Sequence, residues 1–350
     1  MRKILFFLFF ITLSFPQPVR AGIFHLSDYH TYGPLPVRTQ NPLYLLFVGE
    51  SLDRASILQK GDFSTSIETT FANLFERRPR AAGIGIDLDM ELLRTAVNFS
   101  YGLTDHLELG FQLPFLSFSG GFLDSFIQGY HDTFGFPNGG RSNVDNGRFS
   151  YRVTQNGAAL YQVDQATFRL SDMVLIQKLR LFDESKGFPA VSLKNSIKLP
   201  TGSRIQGTGS GRPDLAVSLL AEKSVKRLHS YTQMGFLALG GHADLNPILK
   251  NGSFTFGQAF EFNVFEHLSF IGQVSGQSSL FSRTELPELS KIVLDLTFGF
   301  TGEAMLNRRI NPSTKLRVNK IKYLFGFTED ATSEGPSVDF SLFFNVGMEY

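Results

Sequence analysis

The last thirteen residues of the chain alternate between apolar and polar side chains, and this pattern constrains the fold more than any other feature. The odd positions are polar or glycine except for Phe343. The even positions are all apolar: Val338, Phe340, Leu342, Phe344, Val346, Met348 and Tyr350. A period of two over this length predicts a β-strand with one apolar face, long enough to cross a bilayer when tilted. An aromatic residue at the end of such a strand is typical of the closing strand of a transmembrane β-barrel.

The first residues of the chain predict export. Arg2 and Lys3 precede a short apolar run over residues 4–15, and small side chains follow near Ala21. These are the features of a signal peptide, so we expect residues 1–21 to be removed after Ala21. The run is too short for a membrane helix, which needs about 20 apolar residues. The expected location is therefore the outer membrane of a Gram-negative cell.

The composition agrees with an exported barrel. The chain has no Cys, which excludes disulfides and thiolate metal sites. Its 37 Phe and 33 Gly suit lipid-facing strands and turns. Loss of Arg2, Lys3 and Arg20 would leave 30 Lys and Arg against 32 Asp and Glu, a balance that does not predict nucleic-acid binding. No cofactor is expected.

Alternating segments recur along the chain, separated by connections of two kinds. Residues 103–106 and 264–267 form short connections, whereas the others in the list below are long. Bacterial barrels have short turns at one end and long loops at the other. The pattern predicts an all-β fold, an antiparallel up-and-down transmembrane β-barrel. The long connections are 114–167, 200–212, 240–252, 278–289 and 329–337.

The same segmentation predicts twelve strands with both termini at the periplasmic end. Ten or fourteen strands remain as alternatives, because segment 302–314 is long for a periplasmic turn and the alternation in 229–239 is weak. The predicted strands are 62–71, 84–103, 107–118, 168–181, 190–200, 213–223, 229–239, 253–263, 268–277, 290–301, 315–328 and 338–350.

Two further segments are expected beside the strands of the barrel, residues 62–350. Segment 22–61 is rich in Pro and aromatic residues, and we expect it to thread the barrel as a plug or to rest at its periplasmic mouth. Segment 114–167 is too long for a simple loop. It carries a predicted short helix that starts near Asp124 and a hairpin with its tip at 155–157. It would cap the barrel rim, fold into the lumen as a lid, or lie in the outer leaflet.

Several runs resemble a known family. They are Gly33 to Arg38, Gln40 to Tyr44, Tyr101 to Asp105, and the segment from Gly120 to Arg141. Together they are similar to proteins grouped as domain of unknown function 3187. The resemblance covers most of the mature chain, and the last run is its most specific part. It implies an exported Gram-negative envelope protein and brings no catalytic residues.

Catalytic motifs are weak. Ser125 and the pair His131-Asp132 form one cluster, but six residues on a helix separate Ser125 from His131 and turn them to different faces. The sequence contains no Gly-x-Ser-x-Gly elbow and no His-x-x-x-His pair. We therefore do not predict an enzyme, and a lipid-acting enzyme is kept as the weakest alternative.

A twelve-stranded barrel lies between filled eight-stranded barrels and open porins, so a narrow lumen is expected. The predicted function is passage or uptake of a small solute through this gated lumen. A structural or surface-interaction barrel with a closed lumen is the alternative. Outer-membrane lipid and the barrel-assembly machinery are the expected partners. Candidate lumen or gating residues are Glu68, Glu108, Lys194, Lys198 and Asp295 on strands, and Phe122, Phe126, Tyr130, His131, Asp132 and Arg141 in the inserted segment.

Overall fold

The structure is a computed structural model. The residues it describes are 31–122, 124, 125, 128, 129, 133, 144–282, 284–309, 317–332, 335–338 and 340–350. The predicted signal peptide lies outside these residues. Among the described residues, no helix has the length and apolarity needed to cross a bilayer.

The described part of the chain contains fifteen strands and two short helices that are described from end to end, α1 (Pro42–Leu45) and α2 (Pro287–Ser290). Residues 124, 125, 128, 129 and 133 of the inserted segment are also helical. The strands are β1 (Phe63–Arg78), β2 (Ile84–Thr104), β3 (Leu107–Ser119), β4 (Ser150–Gln155), β5 (Ala158–Val163), β6 (Thr167–Leu170), β7 (Val174–Phe182), β8 (Ala190–Lys198), β9 (Asp214–Val225), β10 (Leu228–Ala238), β11 (Gly252–Phe265), β12 (Leu268–Gln277), β13 (Val293–Arg309), β14 (Arg317–Asp330) and β15 (Phe340–Glu349).

Twelve of these strands form a closed antiparallel ring. β1 to β3 and β7 to β15 each pair with the next, and β15 returns to β1 from Ser64↔Glu349 to Asn73↔Phe340. A barrel closed in this way has no exposed edge. The predicted fold class, strand number and closure through the terminal strand are confirmed.

Two difficulties in the predicted topology have physical explanations. The long segment 302–314 is mostly strand, because β13 continues to Arg309 through a bulge opposite β14. The alternation in β10 is weak because Ser230 and Thr232 share the outer face with Met234 and Phe236, where both hydroxyl groups bond Gln258. On the inner face, Tyr231 and Leu237 are apolar and fully buried. The lumen of this barrel is therefore not lined by polar residues alone.

The two ends of the barrel differ in their connections. At one end, here the short-turn end, β2–β3, β9–β10 and β11–β12 are joined by two-residue turns. At the other, the long-loop end, the connections include 199–213, 239–251 and 278–292. This asymmetry is the one that the sequence predicts for a bacterial barrel.

The outer face of the wall is an apolar belt. Outward-facing aromatic side chains on adjacent strands are exposed, and Phe254 reaches 67%. Soluble monomers rarely expose contiguous apolar patches beyond a few hundred Å². The belt therefore requires a lipid environment. Its members include Phe236, Phe254, Phe256, Phe260, Phe262, Phe270, Phe298, Phe300, Phe325, Phe327, Phe340 and Phe344.

The inserted segment begins on the outside of the wall. The N–H of Phe122 donates to Glu91 Oε1 at 2.7 Å. Met90 and Leu92 belong to the interior apolar cluster, so Glu91 between them faces outward. The later part of the segment forms the β4–β5 hairpin. In this hairpin, β4 pairs with residues 84–89 of β2, beyond the part of β2 that pairs with β3. Asn156 and Gly157 both have positive φ at its tip, as a two-residue hairpin turn requires.

Candidate functional site: a lumenal strap and a polar chamber

Residues 31–59, here called the strap, run through the inside of the barrel. Glu261 on β11 accepts hydrogen bonds from the N–H groups of Tyr32 at 3.1 Å and Gly33 at 3.2 Å. The side-chain amide of Gln273 on β12 bonds both the N–H and the carbonyl of Leu35, each at 3.0 Å. Inward side chains thus replace the backbone partners that a sheet would offer.

The strap is not a strand because proline interrupts it. Pro34, Pro36 and Pro42 lack the N–H that a β-ladder needs. At Pro42 the chain turns into α1, whose N-cap is Asn41, with its Oδ1 accepting from the Leu43 N–H at 3.0 Å. The strap therefore depends on side chains for its fixation.

Glycines in the wall make room for the strap. A Cβ at Gly299 or Gly326 would lie 2.8 or 2.9 Å from Leu35 Cδ1. A Cβ at Gly257 would lie 2.6 Å from Leu52 Cδ1. All three distances are shorter than a normal carbon–carbon contact of about 3.5–4.0 Å. The wall is built to the shape of the strap.

Apolar side chains that break the strand alternation also contact the strap. Phe343, the exception in the terminal strand, is buried in one cluster with Leu35 and Leu52 of the strap. Tyr231 of β10 belongs to the same cluster, and Leu237 packs in another with Val48. These irregular positions are where the wall receives the strap.

A buried ionic group centred on Lys198 anchors the middle of the strap. Its Nζ bonds Asp172, lies 3.2 Å from Asp214 Oδ2, and donates to the carbonyl of Leu46 at 3.1 Å. Asp214 Oδ2 also accepts from the Val48 N–H at 2.9 Å. Lys198 and both aspartates are almost completely buried. Removing one member of such a group leaves an uncompensated charge.

Further ion pairs hold residues 50–59 of the strap, here called the lower strap. Lys194 Nζ lies 3.2 Å from Glu50 and 3.4 Å from Asp53, and Lys178 Nζ lies 3.3 Å from Asp53. Burial raises the pKa of Asp53, but the two lysines outweigh burial and hold this pKa well below its usual value. Asp53 is therefore ionised at neutral pH and keeps the strap bound to β7 and β8.

The remaining contacts of the lower strap reach two more strands. Arg54 pairs with Glu222 of β9 at 2.6 Å. The carboxylate of Glu108 on β3 accepts from the Leu58 N–H at 2.8 Å. The strap is thus bonded around much of the ring.

The long-loop end of the lumen is closed by an apolar cluster, here called the cap. α1 and Phe47 of the strap form its centre, and Tyr44 meets Phe281 edge-to-face at 5.9 Å. Loop residues cover α1 from outside, namely Leu245, Ile248, Leu280, Phe281, Leu286, Leu289 and Val338. The β4–β5 hairpin adds Tyr151, Val153, Tyr161 and Val163.

A histidine joins the parts of the cap. The ring of His242 lies 4.8 Å from that of Tyr161 and 6.4 Å from that of Phe47. Its Nδ1 accepts from the Leu245 N–H at 3.3 Å. Burial lowers the pKa of His242 to about 4. The imidazole is therefore neutral at pH 7, as its apolar setting requires.

The short-turn half of the lumen contains a polar chamber of about 780 Å³. It lies between the strap and the wall formed by β13 to β15, β1 to β3, β7 and β8. It extends to Gln59, Asp62 and Asn319, which are exposed at the short-turn end. The charges lining it are Arg38, Arg54, Arg94, Lys178, Lys194, Lys320 and Lys322 against Glu50, Asp53, Asp62, Glu68, Glu108, Glu303 and Glu349.

Two arginines lie where the chamber meets the cap. Arg38 NH2 donates to the carbonyls of Tyr44 at 3.4 Å and Phe47 at 3.1 Å, while its Nε has no hydrogen-bond partner. Among the described residues, no carboxylate forms an ion pair with Arg38. Burial, and after it the charge of Arg94, lower the pKa of Arg38 to about 9, so it remains a cation at neutral pH.

A ladder of side-chain hydrogen bonds runs from Arg94 along the chamber wall. Arg94 donates to Gln112 at 2.7 Å, Gln112 donates to Asn98 at 2.7 Å, and Asn98 donates to Ser66 at 3.1 Å. Arg94 also contacts Glu68, at the longer distance of 3.4 Å. The polarity of the whole ladder is set by the guanidinium at its inner end.

The strand residues proposed from the sequence all lie on the inner side. Glu68, Glu108, Lys194, Lys198 and Asp295 are buried. The first four make the contacts described above, whereas Asp295 borders a small void under the cap.

The residues proposed from the inserted segment are not brought to the lumen within the described part of the chain. Phe122 is 80% exposed on the outside of the wall. Ser125 is also exposed, with its Oγ accepting from Asn146 at 2.9 Å. The other candidates lie outside the described residues: Phe126, Tyr130, His131, Asp132 and Arg141.

In the terminal strand, the even positions from Phe340 to Met348 lie on the outer face. The N–H of Tyr350 donates to the carbonyl of Phe63 at 2.9 Å, and its ring contacts the Phe63 ring and Met348 on the same outer face.

The charged strap residues and Arg94 were not singled out from the sequence. Arg94 occupies an even, inward position of β2 together with Asn98, which was a usable signal. Arg38, Glu50, Asp53 and Arg54 lie in a proline-interrupted segment without periodicity, where no such signal exists.

Comparisons with known proteins extend these observations. The COG4313 outer membrane channel from Pseudomonas putida F1 has a similar structure, with a TM-score of 0.50 and 11% identity over 85% of this chain and 98% of that chain. The P. putida toluene transporter TodX aligns with a TM-score of 0.34 and 10% identity, over 89% of this chain and 91% of that chain. At 11% identity the likeness to the COG4313 channel concerns the fold alone. No curated protein matches the chain.

A family model described as a protein of unknown function, DUF3187, matches residues 21–310. This range covers the strap and ten of the twelve barrel strands, together with the inserted segment. The chain belongs to the DUF3187 family.

Proposed function

We propose that this protein is an outer-membrane channel for a small polar solute, held closed by the strap and the cap. The observation that carries the proposal is the divided lumen. A polar chamber of about 780 Å³ reaches the short-turn end, and the apolar cap stands between its inner end and the long loops. A barrel with only a structural role has no need of a lined chamber.

The proposed orientation places the short-turn end in the periplasm and the long loops outside. Residues 1–21 would direct export and be removed after Ala21. The strap, within the segment 22–61, would act as the plug that the Pro-rich sequence suggests. Passage would then require the strap or the cap to move, since both block the route between Arg38 and the long-loop end.

Conductance in planar bilayers tests the proposal. We expect the intact protein to be closed for most of the recording and a variant lacking residues 31–58 to conduct continuously. Lys223→Ala is the matched control, because it removes an ion pair with Glu184 outside the lumen, near the short-turn end. Its conductance should equal that of the intact protein.

The rival function is a structural barrel with a permanently closed lumen. The density of bonds between strap and wall favours it, since Glu261, Lys198 and Glu222 each fix the strap from a different strand. If the strap-deleted barrel inserts but stays silent, the channel proposal fails and the structural role stands. Heat-modifiable migration in gels verifies that the barrel has folded.

A further inference from the structure

We infer that the inner end of the chamber is a binding site for a small oxyanion, a carboxylate or a phosphate group, recognised by Arg38 and Arg94. The inference rests on the proposed function, since it names the solute class that the chamber would receive. It depends on the distribution of charge inside the chamber, which is balanced as a whole but not at this point.

Near the mouth and the middle of the chamber, each cation has a carboxylate partner. Lys322 pairs with Glu349, Lys320 lies 3.6 Å from Glu303, and Lys178 is held by Asp53. Such pairs satisfy each other and leave little attraction for a solute. They make the entrance hydrated without selecting a charge.

The inner end differs because one of its two cations, Arg38, has no carboxylate partner among the described residues. Arg38 bonds only main-chain carbonyls, through one of its nitrogens, and its Nε is buried without a partner. A guanidinium offers five donors, so several remain for a ligand. Gly49 lies against its flat face: a Cβ there would be 2.3 Å from the guanidinium carbon. The guanidinium is therefore fixed in direction.

Arg94 supplies the second cation. Its shorter bond goes to the neutral amide of Gln112, and its ion pair with Glu68 has a distance of 3.4 Å. Both arginines border the chamber, and they are close enough that the charge of Arg94 acts on Arg38. Two guanidinium groups that repel each other across a polar cavity are stabilised by an anion between them.

Isothermal titration calorimetry of the full-length mature protein in detergent at pH 7 and low salt tests the inference. The probes are inorganic phosphate and acetate, with acetamide as the uncharged counterpart of acetate. We expect at least one oxyanion to bind and acetamide to give no heat. A phosphate-only response identifies a phosphate site, and an acetate response identifies a carboxylate site. Absence of binding by both anions, or equal binding of acetamide, would overturn the inference.

Two substitutions predict effects of opposite sign. Arg94→Gln should weaken anion binding at least tenfold, because a charge-assisted bond is lost. Glu68→Gln should strengthen it severalfold, because it removes the carboxylate that competes for Arg94. Lys223→Gln, outside the lumen and paired with Glu184, is the control and should stay within twofold of the original protein. A purely structural role for Arg94 does not give this pattern.

Folding of each variant is checked by heat-modifiable migration. If Arg94→Gln fails to fold, Glu68→Gln decides the question, and unchanged affinity in that variant overturns the inference. The two proposals fail separately. If the strap-deleted barrel conducts but the intact protein binds neither anion, only the anion-site proposal is refuted. If the intact protein binds an anion but the strap-deleted barrel does not conduct, only the channel proposal is refuted.

Discussion

The two halves of the lumen are built from the same strands but have opposite chemistry. Along β2, the inward residues Leu88, Met90 and Leu92 belong to the cap, while Asn98 and Ser100 border the chamber. The switch takes place at Arg94. An unbroken wall can therefore enclose two environments when the inward positions change from apolar to polar along each strand.

The comparison shows what each half requires from the strap. The cap half needs apolar contact, and α1 supplies it together with the long loops. The chamber half needs charge compensation, and Glu50, Asp53 and Arg54 supply it. One continuous segment does both because its own composition changes at Gly49, from apolar to charged. Each of the following experiments tests one half against the other.

The largest effect is expected at Lys198, the centre of the buried ionic group that anchors the strap. Lys198→Ala leaves Asp172 and Asp214 buried without their cation, and we expect a loss of about 3–5 kcal/mol in the free energy of unfolding. Urea unfolding in detergent measures it. Limited proteolysis should then cut the strap first. Lys223→Ala, an exposed pair, should change stability by less than about 1 kcal/mol.

Within the cap, Leu46→Ala removes a fully buried side chain next to α1. We expect a loss of about 2–5 kcal/mol, because a cavity remains where the loops cannot close. Hydrogen exchange should rise in the loops 239–251 and 278–292 and stay unchanged at the strap residues that line the chamber. Equal exchange in both halves would show that the two halves are one cooperative unit.

Acid should destabilise the cap through His242. Its pKa is about 4 in the folded protein, below the usual value of about 6.5, so the unfolded state binds more protons between these values. Stability is then fully present above pH 6.5 and falls by up to about 3 kcal/mol as the pH drops to 4. Hydrogen exchange of the cap across this range measures it. His242→Gln should flatten that profile, and an unchanged profile would contradict the assignment.

The smallest effect is expected where wall and strap touch. Gly257→Ala places a methyl group against the side chain of Leu52, which supplies all three of the nearest atoms, and we expect a loss of about 1 kcal/mol. The double variant with Leu52→Ala should recover much of the Gly257→Ala effect. Additive losses would mean that the two residues do not press on each other.

The barrel could be predicted from the sequence because the alternation within each strand shows by itself which residues face inward and which face outward. Strands such as Gly252–Phe265 need no distant partner to reveal alternation. The position of the strap could not be decided between plug and mouth, since Leu35 meets Gln273 and Tyr32 meets Glu261, each more than two hundred residues away. The usable signal was an interruption of the pattern: Phe343 and Tyr231 break the alternation, and they mark where the strap lies.

The candidate site was harder for the same reason. Arg38 lies in a segment without periodic alternation. Its importance follows only from the structure, in which no described carboxylate forms an ion pair with it. The charged strand residues proposed as lumen groups lie inside, but Lys194 and Lys198 bind the strap, a role that requires knowing where the strap runs.

The strap is bonded to β3, β7, β8, β9, β11 and β12 within a closed ring, and Gly257, Gly299 and Gly326 of the wall lie close against it. We therefore expect the wall to fold around the strap before the terminal strand joins β1 and closes the ring. Insertion into the membrane and closure of the pore would then be a single event.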